Sequence, residues 1–249
     1  MIPQQRRETT TIQNPFKAPV YYYARTDSTL QAARECLADG CPDGTFIYAG
    51  YQTEGRGRMA DRQWLSPAGE NLLGTLILRQ PASTDFTLRI GLAASLTLDS
   101  FLPTSVRTTV KWPNDIFING KKAAGILCES AGGCVLAGVG INLTQTAFLR
   151  SIEHTATSLA MIIGADKCPT FEVFIPALLT HIQECLIRRD WNEEISRRLW
   201  KRGSVVRFMR GQQENDIIEG ILTGIAPDGA LCITEEDKER RYYSGELIY

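Results

Sequence analysis

Four short segments carry side chains able to do chemistry on an anion. Tyr51-Gln52-Thr53-Glu54-Gly55-Arg56-Gly57-Arg58 combines two glycines, which let backbone come close to a ligand, with two forked arginine donors suited to phosphate or carboxylate. Lys111-Trp112-Pro113-Asn114-Asp115 closes an apolar run with a turn that presents an amide and a carboxylate. Lys121-Lys122-Ala123-Ala124-Gly125-Ile126-Leu127 sets a lysine at the mouth of an apolar strand, with Gly125 three residues on. Gly138-Val139-Gly140-Ile141-Asn142-Leu143 is an apolar strand ending in an asparagine. Taken singly, each has an ordinary alternative: an Arg-Gly turn in solvent or against RNA, a plain Pro-Asn-Asp turn, solvated lysines after Asn-Gly, a buried sheet strand. No GK[ST] follows Gly57 and no third glycine stands at dinucleotide spacing, so any nucleotide must be held another way.

The elements that must position these segments are legible from periodicity. Residues 20–24 read as a strand, and Asp27-Ser28 supplies an N-cap for a helix carrying Leu30, Ala33 and Leu37 on one face. Strands follow at 45–51 and 72–78, then a helix on the spacing of Phe86, Ile90, Ala93, Ala94, Thr97 and Phe101, closed by Pro103. Short strands at 106–111, 116–118 and 122–129 come next, with Asn119-Gly120 as a two-residue hairpin turn, and Gly132-Gly133 leads into 135–141. Phe171, Phe174, Ile175, Leu178, Leu179, Ile182 and Leu186 form a wide helical stripe expected to be scaffold. After Gly203 only short strands remain, around Pro227-Asp228-Gly229. This organisation predicts a loose arm over 1–19, a catalytic domain over 20–202 and a small β domain over 203–249 that packs on it.

The bulk composition removes several function classes. Hydrophobic residues make up 43% and charged residues 22% of the 249, and no apolar run reaches the ~20 residues a bilayer span needs. A net charge of -1 supplies no general field for nucleic acid. The first fifteen residues hold no apolar stretch of secretory type, so a cytoplasmic location is expected. The seven cysteines, at 36, 41, 128, 134, 168, 185 and 232, form no CxxC pair and are expected to be reduced and structural. His154 and His181 belong to no cluster with ligand spacing, which leaves neither a zinc site nor histidine catalysis, and His154 is expected at the surface of a loop near the site.

Together, in this order and over this distance, the four segments resemble the catalytic domain of biotin protein ligases. The family pattern is matched by Asp27-Ser28-Thr29, by Gly55-Arg56-Gly57-Arg58 with Trp64 and Ser66-Pro67-Ala68-Gly69-Glu70-Asn71-Leu72, by Lys111-Trp112-Pro113-Asn114-Asp115, by Lys122 to Leu127 and by Gly138 to Asn142. The match is strong over about residues 20–145 and looser beyond. The resemblance implies an α+β fold, a mixed β-sheet flanked by helices of class II synthetase-like type, with a small C-terminal SH3-like β-barrel.

By that resemblance, ATP and Mg²⁺ activate biotin as an acyl-adenylate, and a lysine of a biotin carboxyl carrier protein or domain then takes the biotinyl group. Lys122, Arg58 and Asp115 would carry the chemistry, with Asp115 also helping to hold Mg²⁺. Ser28, Thr29, Gln52, Gly55, Arg56, Gly57, Lys122 and Gly125 would bind biotin. Arg56, Arg58, Trp64, Lys111, Asn114, Asp115 and Asn142 would bind the nucleotide, Trp64 by stacking on adenine. No protein nucleophile is needed. The 19 residues before the first strand are too few for the DNA-binding module of some relatives, so neither nucleic acid nor a membrane is an expected partner, while a homodimer is one form the family takes. The spacing Met59-Ala60-Asp61 between Arg58 and Arg62 differs from many relatives and bears on loop closure. Two alternatives stand beside this reading: a lipoate–protein ligase or octanoyltransferase, and a non-catalytic biotin- or nucleotide-binding protein.

Overall fold

The computed structural model describes residues 7–59, 62–211 and 216–248. In chain order its elements are β1 (Glu8–Thr9), β2 (Val20–Tyr23), α1 (Thr29–Ala38), β3 (Phe46–Ala49), β4 (Asn71–Leu78), α2 (Phe86–Phe101), β5 (Thr108–Lys111), β6 (Asp115–Ile118), β7 (Lys121–Ala131) and β8 (Cys134–Asn142). Then come α3 (Ala160–Ile163), α4 (Phe171–Ile187), α5 (Trp191–Arg197), β9 (Val205–Met209), β10 (Ile217–Ile225), β11 (Leu231–Glu235), β12 (Lys238–Tyr242) and β13 (Glu246–Ile248).

Eight strands form one mixed sheet in the order β1-β2-β3-β4-β8-β7-β6-β5, in which β2 and β3 run parallel and the other neighbours antiparallel. The alternation of strand side chains divides the core into two layers. Phe46, Tyr48, Leu72 and Leu76 belong to the larger cluster with α2 and α4, whereas Ile47, Ile77 and Leu136 face Leu30, Ala33 and Cys36 of α1. Burial on both faces explains why β4 reads as one apolar run. The Asn119-Gly120 turn has positive φ at both residues, as a two-residue hairpin requires. Ser28 caps α1 through a bond accepted from the Gln31 backbone N–H, as its residue type predicts.

A second sheet holds five antiparallel strands in the order β12-β11-β10-β9-β13. It is fastened to the first unit by Trp112, whose Nε1 donates to the Gly229 carbonyl at 3.3 Å and whose ring tilts against Phe208 at 5.9 Å. The motif tryptophan is therefore a core residue shared between the two sheets.

Two expectations need correction. The described part of residues 1–19 is docked rather than loose: β1 pairs with Tyr21 and Tyr22, Asn14 Nδ2 donates to the carbonyls of Ala18 and Gly44, and Ile12 and Phe16 pack on the main core. Polar residues there satisfy the sheet edge instead of solvent. Nor are all seven cysteines reduced, because Cys36 and Cys41 are joined across the C-terminal end of α1 with Cα atoms 5.6 Å apart. The turn at Gly40 brings them within bonding reach although they form no CxxC pair. The residues Ala60 and Asp61 of the unusual spacing lie outside the described residues. Among those described, no helix is long and apolar enough to cross a membrane.

Candidate active site

Ser28, Thr29, Gln52, Arg56, Gly57, Arg58, Trp64, Lys111, Asn114, Asp115, Lys122, Gly125 and Asn142 all line one cavity of about 360 Å³. The sheet explains how four distant segments meet. Strand β7 pairs with β8 so that Gly125 stands opposite Gly140 and Leu127 opposite Gly138, and β6 pairs with β7 so that Asp115 stands opposite Gly125. Paired glycines clear a flat floor. A Cβ at Gly140 would lie 2.6 Å from the Trp64 ring, and one at Gly125 would lie 2.9 Å from it. The indole N–H of Trp64 is buried and has no hydrogen-bond partner among the described residues. A donor held ready in this way suits a ligand acceptor, because an unpaired buried group costs ~1–3 kcal/mol.

Lys122 enters from the start of β7, where its N–H donates to the Thr155 carbonyl and its carbonyl accepts from Thr157 N. That tie on both sides fixes the direction of its side chain. The Nζ lies 2.7 Å from Asp115 Oδ1 and 5.6 Å from the centre of the Trp64 ring. Lys111 is 3% exposed, and burial pushes its ammonium pKa down while the charges of Asp115 and Glu246 pull it up. Burial prevails and the net shift is downward, and the ammonium, 3.8 Å from the Glu246 carboxylate, stands on the cavity wall where it can meet a phosphate oxygen.

The polar residues expected around a neutral head group are bonded to one another. Gln52 Oε1 accepts from the backbone N of Thr29 at 2.7 Å and from its hydroxyl at 3.1 Å, and Thr29 Oγ1 accepts from Thr75 at 2.9 Å. Ser28 Oγ already accepts the capping bond at 3.1 Å, so what it can offer a ligand is its O–H. Asn142 Nδ2 donates to the Thr157 carbonyl at 2.9 Å, which fixes the amide and turns its oxygen to acceptor work.

One motif residue stands off the cavity, and another on its wall also braces the framework. Gly55 does not line the cavity, because a Cβ there would sit 2.3 Å from the Trp64 carbonyl: the glycine lets the loop close on itself, and Trp64 N bonds the Gly55 carbonyl at 3.0 Å. Asn114 spends its Nδ2 on the Ile126 carbonyl at 3.1 Å, clamping the turn to β7. His154 is 88% exposed on its loop and does not line the cavity.

The structure also brings in a residue that motif spacing could not supply. Glu246 of β13 lines the cavity with its carboxylate 3.0 Å from Arg62 Nη1, 3.8 Å from Lys111 Nζ and 3.9 Å from Arg58 Nη2. Burial raises its pKa, but the Arg62 hydrogen bond and the charges of Arg62, Lys111 and Arg58 outweigh that and hold it below the usual 4.5. Over a hundred residues separate it from Lys111, so only the packing of the small sheet on the large one reveals it.

A model of the biotin/lipoate A/B protein ligase family matches residues 22–145, and one of the biotin protein ligase C terminal domain matches residues 209–248. The chain is 37% identical to the biotin–[acetyl-CoA-carboxylase] ligase of Paracoccus denitrificans, over 84% of this chain and 92% of that one. It is 30% identical to the bifunctional ligase/repressor BirA of Bacillus spizizenii, over 88% and 70%. Among solved structures, the biotin protein ligase from Aquifex aeolicus in complex with biotin and ATP superposes with a TM-score of 0.79 at 27% identity, covering 92% of this chain and 97% of that one.

Proposed function

We infer the reaction from descent and site together: the chain belongs to the biotin protein ligase family, and it is an ATP-dependent ligase that activates biotin to biotinyl-5′-AMP and transfers it to a carboxylase carrier protein. One observation carries the reading. The cations Arg56, Arg58, Lys111 and Lys122 and the polar set Ser28, Thr29 and Gln52 line the same cavity, as a site for two anions and one neutral polar head must.

Activation brings the biotin carboxylate to the α-phosphate of ATP, so the site must hold two anions together while pyrophosphate leaves. Lys122, aimed by β7 and by Asp115, offers its ammonium to both reacting oxygens, and Arg58 offers a fork to the phosphate. Ser28 donates to the ureido oxygen, and the Thr29–Gln52 pair supplies the remaining polar wall. Trp64, lying on the glycine floor, supplies an aromatic face for adenine, while the Asn142 oxygen accepts from its amino group. Asp115 and Glu246 are the carboxylates on the cavity wall, and no cluster of three metal-binding residues exists among the described residues. That donor set fits Mg²⁺ arriving with ATP, which binds through phosphate oxygens and one or two carboxylates. When bound, the ion neutralises phosphate charge.

For transfer, the lysine amine of a biotin carboxyl carrier domain attacks the mixed anhydride and AMP departs. The acceptor is deprotonated lysine, and no enzyme nucleophile takes part. We assign residues 20–202 to the catalytic domain and residues 203–249 to the small β domain. The demand for ATP suits a cytoplasmic enzyme, and the net charge of -1 suits one that works without nucleic acid.

The test is mass spectrometry of the adenylate formed from Mg²⁺-ATP and biotin, with lipoate and octanoate in parallel and Lys122→Ala as control. Biotinyl-AMP from the wild type and its loss in the variant are expected. Lipoyl- or octanoyl-AMP instead would move the chain to the lipoyl branch of the family, and no adenylate from any acid would leave a binding protein.

A further inference from the structure

We propose that Thr75 is a positioning residue for the biotin head: its buried hydroxyl donates to Thr29 and, through Thr29, holds Gln52 with only N–H donors free for the ligand; the proposal rests on the ligase reading above. Thr75 is a fully buried polar side chain in the middle of β4, and the alternation of the strand sets it on the same face as Ile77, which packs against α1. A hydroxyl there needs a partner, because a buried polar group left unpaired is costly. Its oxygen lies 2.9 Å from Thr29 Oγ1, at the first turn of α1.

The supply of protons fixes the direction of every bond in this chain. The Thr29 backbone N–H can only donate, so the Gln52 atom 2.7 Å from it is the carbonyl oxygen. That oxygen can only accept, so the Thr29 hydroxyl 3.1 Å away gives it its one proton. The contact between Thr29 and Thr75 must then take its proton from Thr75. Thr29, with its backbone N–H and its hydroxyl proton both spent, stands behind the ligand wall as a link. Gln52 Oε1 already accepts from two donors, so what Gln52 has left for the cavity is the amino group of Nε2. Ser28, whose oxygen accepts the capping bond, likewise has its O–H to give. This end of the cavity therefore selects a head that presents an acceptor, as the ureido oxygen does. Thr75 is the fixed end of the chain, since β4 is paired on both sides there, with Thr75 opposite Ile47 and Gly138. One hydroxyl thus references both α1 and the segment carrying Gln52 to the central sheet.

The test measures biotin affinity of the full chain by calorimetry and KM for ATP in adenylate formation. Thr75→Val, which nearly keeps the shape and removes the proton, is expected to weaken biotin binding about threefold to tenfold, the scale of one net hydrogen bond, with KM for ATP changed less than about twofold. Thr75→Ser keeps the donor and should bind biotin within about twofold of wild type. In a Gln52→Ala background, Thr75→Val should add less than about twofold, because the chain ends at Gln52. Unchanged biotin affinity in Thr75→Val, a serine variant as weak as the valine one, an equal loss for ATP, or additive losses would overturn the proposal. Should Thr75→Val not fold, Thr75→Ser and Thr75→Ala decide, since they differ by the hydroxyl alone: tighter biotin binding by the serine variant is expected, and equal binding by the two overturns the proposal. The ligase reading fails separately, if wild-type protein forms no biotinyl-AMP.

Discussion

The indole of Trp64 rests directly on the backbone of Gly140, so closely that a Cβ on Gly140 would come within 2.6 Å of the ring. Gly140→Ala must therefore lift the indole off the floor. Overpacking of this kind costs about 1–3 kcal/mol, and because the ring forms a wall of the cavity, the loss should appear in ligand binding. We expect kcat/KM for adenylate formation to fall about tenfold to a hundredfold, with a changed tryptophan emission spectrum. Wild-type kcat/KM in the alanine variant would show that the ring needs no contact with the floor.

Why the glycine matters could be read only in part from the sequence. Gly125 and Gly140 each stood out as glycines inside apolar strands, a mark of close approach. Their partnership across β7 and β8, and Trp64 as the group approaching, depend on strand register and on the path of a loop with no periodicity. The same division holds elsewhere. An apolar run and helical stripes exposed β4, α2 and α4, whereas α5 was missed because its seven residues carry only Trp191 and Ile195 as apolar positions, too few for a stripe. Glu246 was invisible because its partners lie on the other sheet.

Gln52 gives a prediction on the biotin side. Its Oε1 is the acceptor for both the N–H and the hydroxyl of Thr29, at the first turn of α1. Gln52→Ala leaves those donors without that acceptor, at a cost of about 1–3 kcal/mol. KM for biotin should rise by about one to two orders of magnitude, while KM for ATP stays close to wild type. Calorimetric titration with biotin alone checks it, and unchanged affinity would remove Gln52 from the biotin wall.

Asp99 concerns stability rather than chemistry. Its side chain is 4% exposed and accepts from Arg198 Nη1 at 2.5 Å and from the N–H and hydroxyl of Thr108, so it ties α2 to β5 and α5. Asp99→Ala takes the carboxylate from Arg198 and Thr108 while Arg198 keeps its bond to Glu194, and buried donors left without their acceptor cost about 1–3 kcal/mol. Urea unfolding should show a loss of that order with an unchanged slope. A loss under about 1 kcal/mol would mean that water replaces the carboxylate.

Glu194 links stability to pH. The hydrogen bond from Arg198, opposed by burial and helped by the charge of Arg198 and a bond from Arg197, lowers its pKa from the ordinary 4.5. A carboxyl whose folded pKa lies below its unfolded one binds fewer protons when folded, so its stabilisation is fully present above about pH 4.5 and fades as pH falls through the folded value. Although the carboxylate is only 17% exposed, its partner Arg197 is 58% exposed, and screening there keeps the contribution to about 1 kcal/mol. Glu194→Gln should therefore lower the unfolding midpoint at pH 7 by a small, measurable amount, and the difference from wild type should shrink as the carboxyl of the wild type becomes protonated. Paired urea titrations from pH 7 downward test this. A difference that stayed constant down the series would place the effect in helix propensity or packing, since neither depends on the proton that Glu194 gains.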